Sequence, residues 1–317
     1  MKVLRADCAG ACYGVQRALD LALQAGEGDA IAYTLGPLIH NPQVVAQLSE
    51  RGVHAVDDLG DIPLPQAAEA VVVADMAAVA DVAATVAAPD LPGEQVAPVA
   101  RHVPTVIIRS HGVTPQVKRD ALALGLPVVD ATCPHVSRAQ KAAEELGSCG
   151  MHVIVVGEDG HPEVAALVAC ARETGAEVSV VGDASSIPTR ITQPVGIVVQ
   201  TTQKRAVLDR VVDALRERGI EPVVKNTICS ATTKRQDAAE QLARQVDAMV
   251  VIGGRNSSNT TRLAELCAAA CVRAFHIERA DEIEPAWFDG CVTVGVTAGA
   301  STPEDQIASV IARLESL

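Results

Sequence analysis

The chain has 317 residues, with 26 Lys or Arg against 39 Asp or Glu, a formal net charge of −13 at pH 7. A chain this long buries enough surface to need no disulfide or structural metal. Its acidity, with only five Phe, Tyr and Trp residues, excludes a nucleic-acid binder, which needs a basic footprint or stacking rings.

From the N-terminus, short β-branched runs alternate with longer amphipathic ones. A strand at 2–6 precedes a helix at 15–25, then a strand at 30–36 and a helix at 42–51. Residues 62–104, rich in Ala, Val, Asp and Pro, read as an elaboration of the first lobe with one or two helices in its middle and loop at its flanks. Beyond it come a strand at 105–110, a helix at 115–124, a strand at 127–133 and a helix at 136–146. Next are strand 152–157, helix 163–173, strands 178–182 and 196–200, helix 205–218, strand 221–225 and helix 231–245. The chain closes with strand 248–254, helix 259–270, strands 273–278 and 292–298, and helix 303–314. Such alternation predicts parallel sheets with helices on both faces.

The longest uncharged stretch, 30–49, is broken by Gly36, Pro37, His40, Asn41, Pro42 and Gln47, so it is no spanning helix. The start, MKVLRADCAGACYG, lacks the apolar core of a signal peptide, and the chain reads as cytoplasmic. Nine cysteines are then thiols, metal ligands or redox groups rather than staples, and most are expected to be small buried apolar residues.

Three of them stand apart. Cys12, Cys133 and Cys229 each lie at a strand-to-helix corner, 121 and 96 residues apart. Cys149 and Cys170 fall on helices, Cys267 and Cys271 form an i,i+4 pair, Cys291 opens a strand, and Cys8 is ambiguous. Other corners collect His40-Asn41-Pro42, Ser110-His111-Gly112, Gly160-His161-Pro162-Glu163, Gln200-Thr201-Thr202, Asn256-Ser257-Ser258-Asn259 and Gly299-Ala300-Ser301-Thr302. Ligands bind at the carboxyl ends of parallel strands, so these corners point to one ligand face or a few close ones. Ser, Thr and Asn are ordinary helix caps; three Cys and three His are harder to explain that way. No C-x-x-C pair suggests zinc. Three thiolates suit a cubane iron–sulfur cluster with one iron left open. The hydroxyl and amide corners suit a phosphate or diphosphate, and no P-loop is present.

The ordered segments GACYGVQRAL, IHNPQVV, RSHGV, DATCPHV, GHPEV, QTT, ICSATTKRQ, NSSNTTRL and VGVTAGASTP closely resemble the 4-hydroxy-3-methylbut-2-enyl diphosphate reductase (LytB or IspH) family, nearly end to end. The resemblance implies three α/β lobes in a trefoil around a central iron–sulfur cluster; the lobes are read here as 13–133, 134–225, and 226–317 with 1–12. It implies a two-electron reductive dehydroxylation giving isopentenyl and dimethylallyl diphosphate, fed by an external one-electron donor such as a ferredoxin or flavodoxin. Cys12, Cys133 and Cys229 would hold a 4Fe-4S cluster with one open iron. Glu163 would supply protons, with Thr201 and His161 beside it. His40, His111, His161 and Thr201 would surround the substrate, and Ser257, Ser258, Asn259 and Ser301 would hold its diphosphate. Glu163, in a closed pocket, is expected to have a raised pKa, and the histidines to carry a charge that follows pH. Two departures stand out: Ala11 replaces the family's frequent Phe before the first cysteine, and the 62–104 segment is longer than usual. An iron–sulfur dehydratase or synthase on the same plan, or a non-enzymatic redox sensor, are the competing readings. The diphosphate corners count against the first, and Glu163 with the histidines against the second.

Overall fold

The computed structural model describes residues 1–27, 31–64, 103–191 and 194–317. The stretch 65–102, on which the expected helices of the 62–104 segment fall, lies outside the described residues.

Twelve strands among the described residues form three four-stranded sheets, all of whose pairings are parallel. The first contains β2 (Ala32–Leu35), β3 (Val53–Val56), β4 (Thr105–Ile108) and β5 (Val128–Asp130), in spatial order β3-β2-β4-β5. The second contains β6 (His152–Val156), β7 (Val178–Val181), β8 (Val195–Val199) and β9 (Val223–Lys225), in order β7-β6-β8-β9. The third joins β1 (Lys2–Arg5) to β10 (Ala248–Ile252), β11 (Ala274–Ile277) and β12 (Thr293–Ala298), in order β1-β12-β10-β11. Helices α1 (Tyr13–Ala25), α2 (Pro42–Ser49) and α3 (Pro115–Ala123) flank the first sheet. Those flanking the second are α4 (Pro134–Ser148), α5 (Pro162–Arg172) and α6 (Arg205–Glu217), and those flanking the third are α7 (Ser230–Ala243), α8 (Ser258–Ala270) and α9 (Glu304–Glu315). None is long and apolar enough to cross a membrane.

The sequence expectation contains eleven of these strands and lacks β3. Its VHAV is four residues long, carries a histidine, and follows α2 after a single turn at Gly52 (φ 79°), too little for a periodic signal. The inner strands were easier to read. HVIVV, VGIVV and AMVVI are buried along their whole length because helices cover both faces. Among the described residues each sheet has one hydrophobic cluster on either side, six in all, and each cluster stays with its own sheet and helices. The three units therefore meet through polar loops rather than one shared core.

The three sheets repeat one topology, and that repetition places the site. In each, strand order reverses between two inner strands: β2 and β4, β6 and β8, β10 and β12. A crevice opens at such a switch point, at the carboxyl ends of the strands. The fourth strand of each set, β5, β9 or β1, delivers the chain to a helix of the next sheet, and a cysteine caps that helix.

Candidate functional site

Cys12, Cys133 and Cys229 are the N-cap residues of α1, α4 and α7, all with extended backbone and none with a side-chain cap hydrogen bond. Their backbone N–H groups make equivalent bonds. Cys12 donates to Ala300 O (3.1 Å), Cys133 to Ser110 O (3.0 Å) and Cys229 to Thr201 O (2.9 Å). Each acceptor lies two residues beyond β12, β4 or β8. One cysteine per sheet junction is thus pinned beside the switch-point loop, and its sulfur stands at the positive end of a helix dipole.

All twelve residues singled out in the sequence line one central pocket, with about 680 Å³ of open volume. They are Cys12, His40, His111, Cys133, His161, Glu163, Thr201, Cys229, Ser257, Ser258, Asn259 and Ser301. Apart from the cysteines they come from the loops and helix starts after β2, β4, β6, β8, β10 and β12. Among the described residues, those of the outer loops after β3, β7 and β11 add nothing to the lining. The other six cysteines are absent from it as well; Cys267 and Cys271 are core residues between α7, α8 and the third sheet.

Gly14, in the first turn of α1, makes room for the sulfurs. A Cβ there would sit 2.4 Å from Cys133 Sγ and 4.0 Å from Cys12 Sγ. Burial pushes the Cys133 thiol up. The N–H groups of His135 and Val136 oppose this, while Cys12 and Cys229 nearby add to it. Arg235 of α7, 5% exposed, donates Nη2 to Gly10 O (2.8 Å) and Nη1 to Ala231 O (3.1 Å). It ties the Cys12 loop to the Cys229 helix. Burial lowers its pKa, against the raising influence of Cys12, Cys8 and Cys229, so it is the cation that faces the thiols. Sequence reading missed it, because mid-helix in TTKRQ it looks like any solvated arginine.

Glu163 is 1% exposed. Its Oε1 accepts from the Thr201 backbone N–H (2.6 Å) and its Oε2 from the Thr201 hydroxyl (2.9 Å). Burial lifts its pKa to about 7, against both Thr201 bonds and with help from the charge of Glu158. The neighbouring histidine is a cap after all, since His161 Nδ1 accepts from the Glu163 N–H (3.1 Å) at the start of α5.

His40, His111 and His161 form a triangle with ring centroids 4.4, 5.6 and 5.7 Å apart. The expectation that their charge follows pH near neutrality is corrected here. Burial lowers all three pKa values, His161 to about 4 and His111 well below the usual range. The three are neutral imidazoles at pH 7. Ligating atoms of this trio lie within 4.8 Å of one another, close enough for one metal ion. The nearby Arg109 guanidinium, which also depresses all three, repels a cation and favours an anion.

The loop after β10 supplies the remaining donors. Ser257 caps α8 by accepting from the Thr260 N–H (3.4 Å). Both amide atoms of buried Asn259 lack a partner, as do both ring nitrogens of His40 and Nδ1 of His111. Unpaired buried polar atoms around a pocket call for a ligand that pairs them. Ser258 differs, for its hydroxyl donates to Glu158 across the second and third units, and Glu158 also holds Arg262 (2.7 Å). Arg262 follows Ser258 by one turn, a local hint, but nothing local points to Glu158.

Asn41, read in the sequence only as part of a ligand corner, caps α2 through Gln43 N and Val44 N and donates to Ser301 O (2.9 Å) and Gln306 Oε1 (3.0 Å). It joins the first unit to the third beside His40. Asn41→Ala removes the cap and strands one buried and one part-buried acceptor, so urea unfolding is expected to show a loss of about 1–3 kcal/mol.

A family model described as LytB protein matches residues 3–315. The chain is 43% identical over 315 residues to a protein of Pelobacter propionicus and 42% identical over 320 residues to one of Geobacter metallireducens. Both are named 4-hydroxy-3-methylbut-2-enyl diphosphate reductase, and the matches span 99% and 100% of this chain and 98% of each relative. Among solved structures, that of (E)-4-hydroxy-3-methyl-but-2-enyl diphosphate reductase, the terminal enzyme of the non-mevalonate pathway, aligns over the whole of both chains, with 35% identity and a TM-score of 0.66. A Plasmodium falciparum structure, 21% identical, has the same fold, with a TM-score of 0.80 over 98% of this chain and 87% of that one.

Proposed function

The chain belongs to the LytB protein family of 4-hydroxy-3-methylbut-2-enyl diphosphate reductases, and from that premise we infer that its central pocket reductively dehydroxylates this allylic diphosphate, the last step of the non-mevalonate pathway. The substrate takes up two electrons and two protons, its C–O bond breaks, and isopentenyl or dimethylallyl diphosphate leaves with water.

Cys12, Cys133 and Cys229 fit a 4Fe-4S cluster. Three thiols reach one pocket from three junctions, and they are not among the described groups whose donor atoms crowd within 4.8 Å as around a single ion. The space that a Cβ at residue 14 would take is left to the sulfurs. Each cysteine stands at a helix N-terminus, whose dipole suits the negative charge of a cluster held by three sulfurs. Bound there, the cluster supplies electrons singly and, at an iron without a protein ligand, a Lewis acid for the substrate oxygen. The electrons come from an external donor protein such as a ferredoxin or flavodoxin.

Glu163 is the proton source. Oε1 is committed to the Thr201 N–H, so the protonated acid carries its proton on Oε2; the bond to Thr201 then reverses, Oε2 donating to Oγ1, and the proton passes to that oxygen. That hydroxyl, which lines the pocket, then gives up its own proton. Asn259, Ser257 and Ser301 hold the diphosphate at the N-terminus of α8, where the dipole favours an anion. His40, His111 and His161 add neutral donors, and Ser258 joins by exchanging Glu158 for a phosphate oxygen. The observation that carries this reading is the meeting of three thiols from three sheet junctions with one buried carboxyl whose pKa is about 7.

Air-free preparation is expected to yield a brown protein, with iron and sulfide, that consumes the hydroxymethylbutenyl diphosphate under dithionite. Colourless, iron-free protein from such a preparation overturns the reading. The relay has its own test. Thr201→Ser keeps the hydroxyl and most of the rate, whereas Thr201→Val loses about 10²-fold in kcat.

A further inference from the structure

The geometry points to the cleft between α1 and the start of α4 as the docking surface for an acidic protein that carries one electron at a time. The inference rests on the reductase reading, because a reaction that consumes two electrons needs a source. The sequence contains no G-x-G-x-x-G segment for a dinucleotide donor, and a thiolate-held cluster accepts electrons singly.

Arg17, Thr132, Pro134, Arg138 and Lys141 line this cleft, which has about 860 Å³ of open volume. Its floor is the loop that carries Cys133. Arg17 donates Nη1 to Thr132 O (3.2 Å), holding α1 against that loop. Tyr13 follows Cys12 directly, and Arg17 lies four residues on, on the same helix face. The cleft therefore abuts two of the three thiol loops.

Charge and exposure set this face apart. In a chain of net charge −13, Arg17, Arg138 and Lys141 make no ion pair among the described residues, and the one acid among the described residues lining the cleft, Asp130, is already taken by Lys118 (2.8 Å). Tyr13 is 75% exposed, although the chain has only five aromatic residues. Unpaired cations, one of them a helix turn from an exposed aromatic, suit a small, electrostatically steered encounter with an acidic partner, and such electron-transfer contacts are brief and weak. At each encounter the carrier is oxidised and the cluster reduced by one electron, so two encounters serve one turnover.

The test reverses charge away from the pocket, in an Arg138→Glu/Lys141→Glu double variant. The probe is a small acidic [2Fe–2S] ferredoxin, with calorimetric Kd measured at low and at physiological salt. Wild-type affinity is expected to weaken with salt. In the variant, the Kd and the KM for reduced ferredoxin rise about tenfold or more, while turnover with dithionite is unchanged. If Kd and KM for ferredoxin stay at wild-type values, the docking surface is refuted. Conversion of a dimer to monomers by the double variant also overturns it, since a second acidic copy would then be the occupant. Absence of turnover with dithionite in the wild type is a separate failure, that of the reductase reading itself.

Discussion

Cys133→Ser is expected to yield a colourless protein, with turnover reduced by about 10³-fold or more. A cluster with only three protein ligands has none to spare, and a serine hydroxyl is a hard, weakly acidic substitute for a soft thiolate. The substitution isolates that loss because residue 133 is the N-cap of α4 and its thiol makes no cap bond. Serine is a better cap than cysteine, so far-UV circular dichroism and unfolding of the iron-free chain should match or exceed the parent. Cys149→Ser, at the exposed C-terminal end of the same helix, should remain brown and active. Iron retained in Cys133→Ser, or lost in Cys149→Ser, sinks the ligand assignment.

Glu163→Gln separates colour from chemistry. The amide keeps Oε1 for the Thr201 N–H and donates from its nitrogen to Thr201 Oγ1, so the local bonds survive while the proton is gone. We expect a brown protein with kcat lower by about 10²–10⁴-fold. The pH dependence follows from a pKa raised from 4.5 to about 7. A general acid works while protonated, so wild-type activity falls as pH rises through about 7, and the variant lacks that limb. The stability effect has a definite sign. A carboxyl whose pKa is raised on folding contributes fully below about 4.5, and that contribution is lost as pH rises through about 7. The loss is about 3 kcal/mol. Glu163→Gln should therefore be the more stable protein at pH 8, with the advantage shrinking toward pH 4.5. A wild-type profile that keeps its alkaline limb after the substitution assigns the proton to another group.

The parallel architecture was legible because buried inner strands such as HVIVV and AMVVI are apolar throughout and are punctuated by helices of different period. β3 was not, since four residues with a histidine carry too little pattern. At the site, residue types unusual for a cap drew attention to corners that all line the central pocket. The roles they play in the loops were harder to read. His161 is a cap as well as a pocket residue, Ser258 is engaged with Glu158, and the three imidazoles are neutral.

Sequence by itself determined what is local: the strand and helix alternation, the cysteines at three corners, and the hydroxyl and amide loops ahead of α8. Tertiary structure alone decided which of these groups meet and in what charge state. Burial lifts the pKa of Glu163 to about 7 against its bonds to Thr201, 38 residues away, Arg235 reaches Gly10 across 225, and Asn41 joins Ser301 across 260. Burial and the distance between charges set a pKa and a hydrogen-bond partner, and both depend on chain segments that only folding brings together.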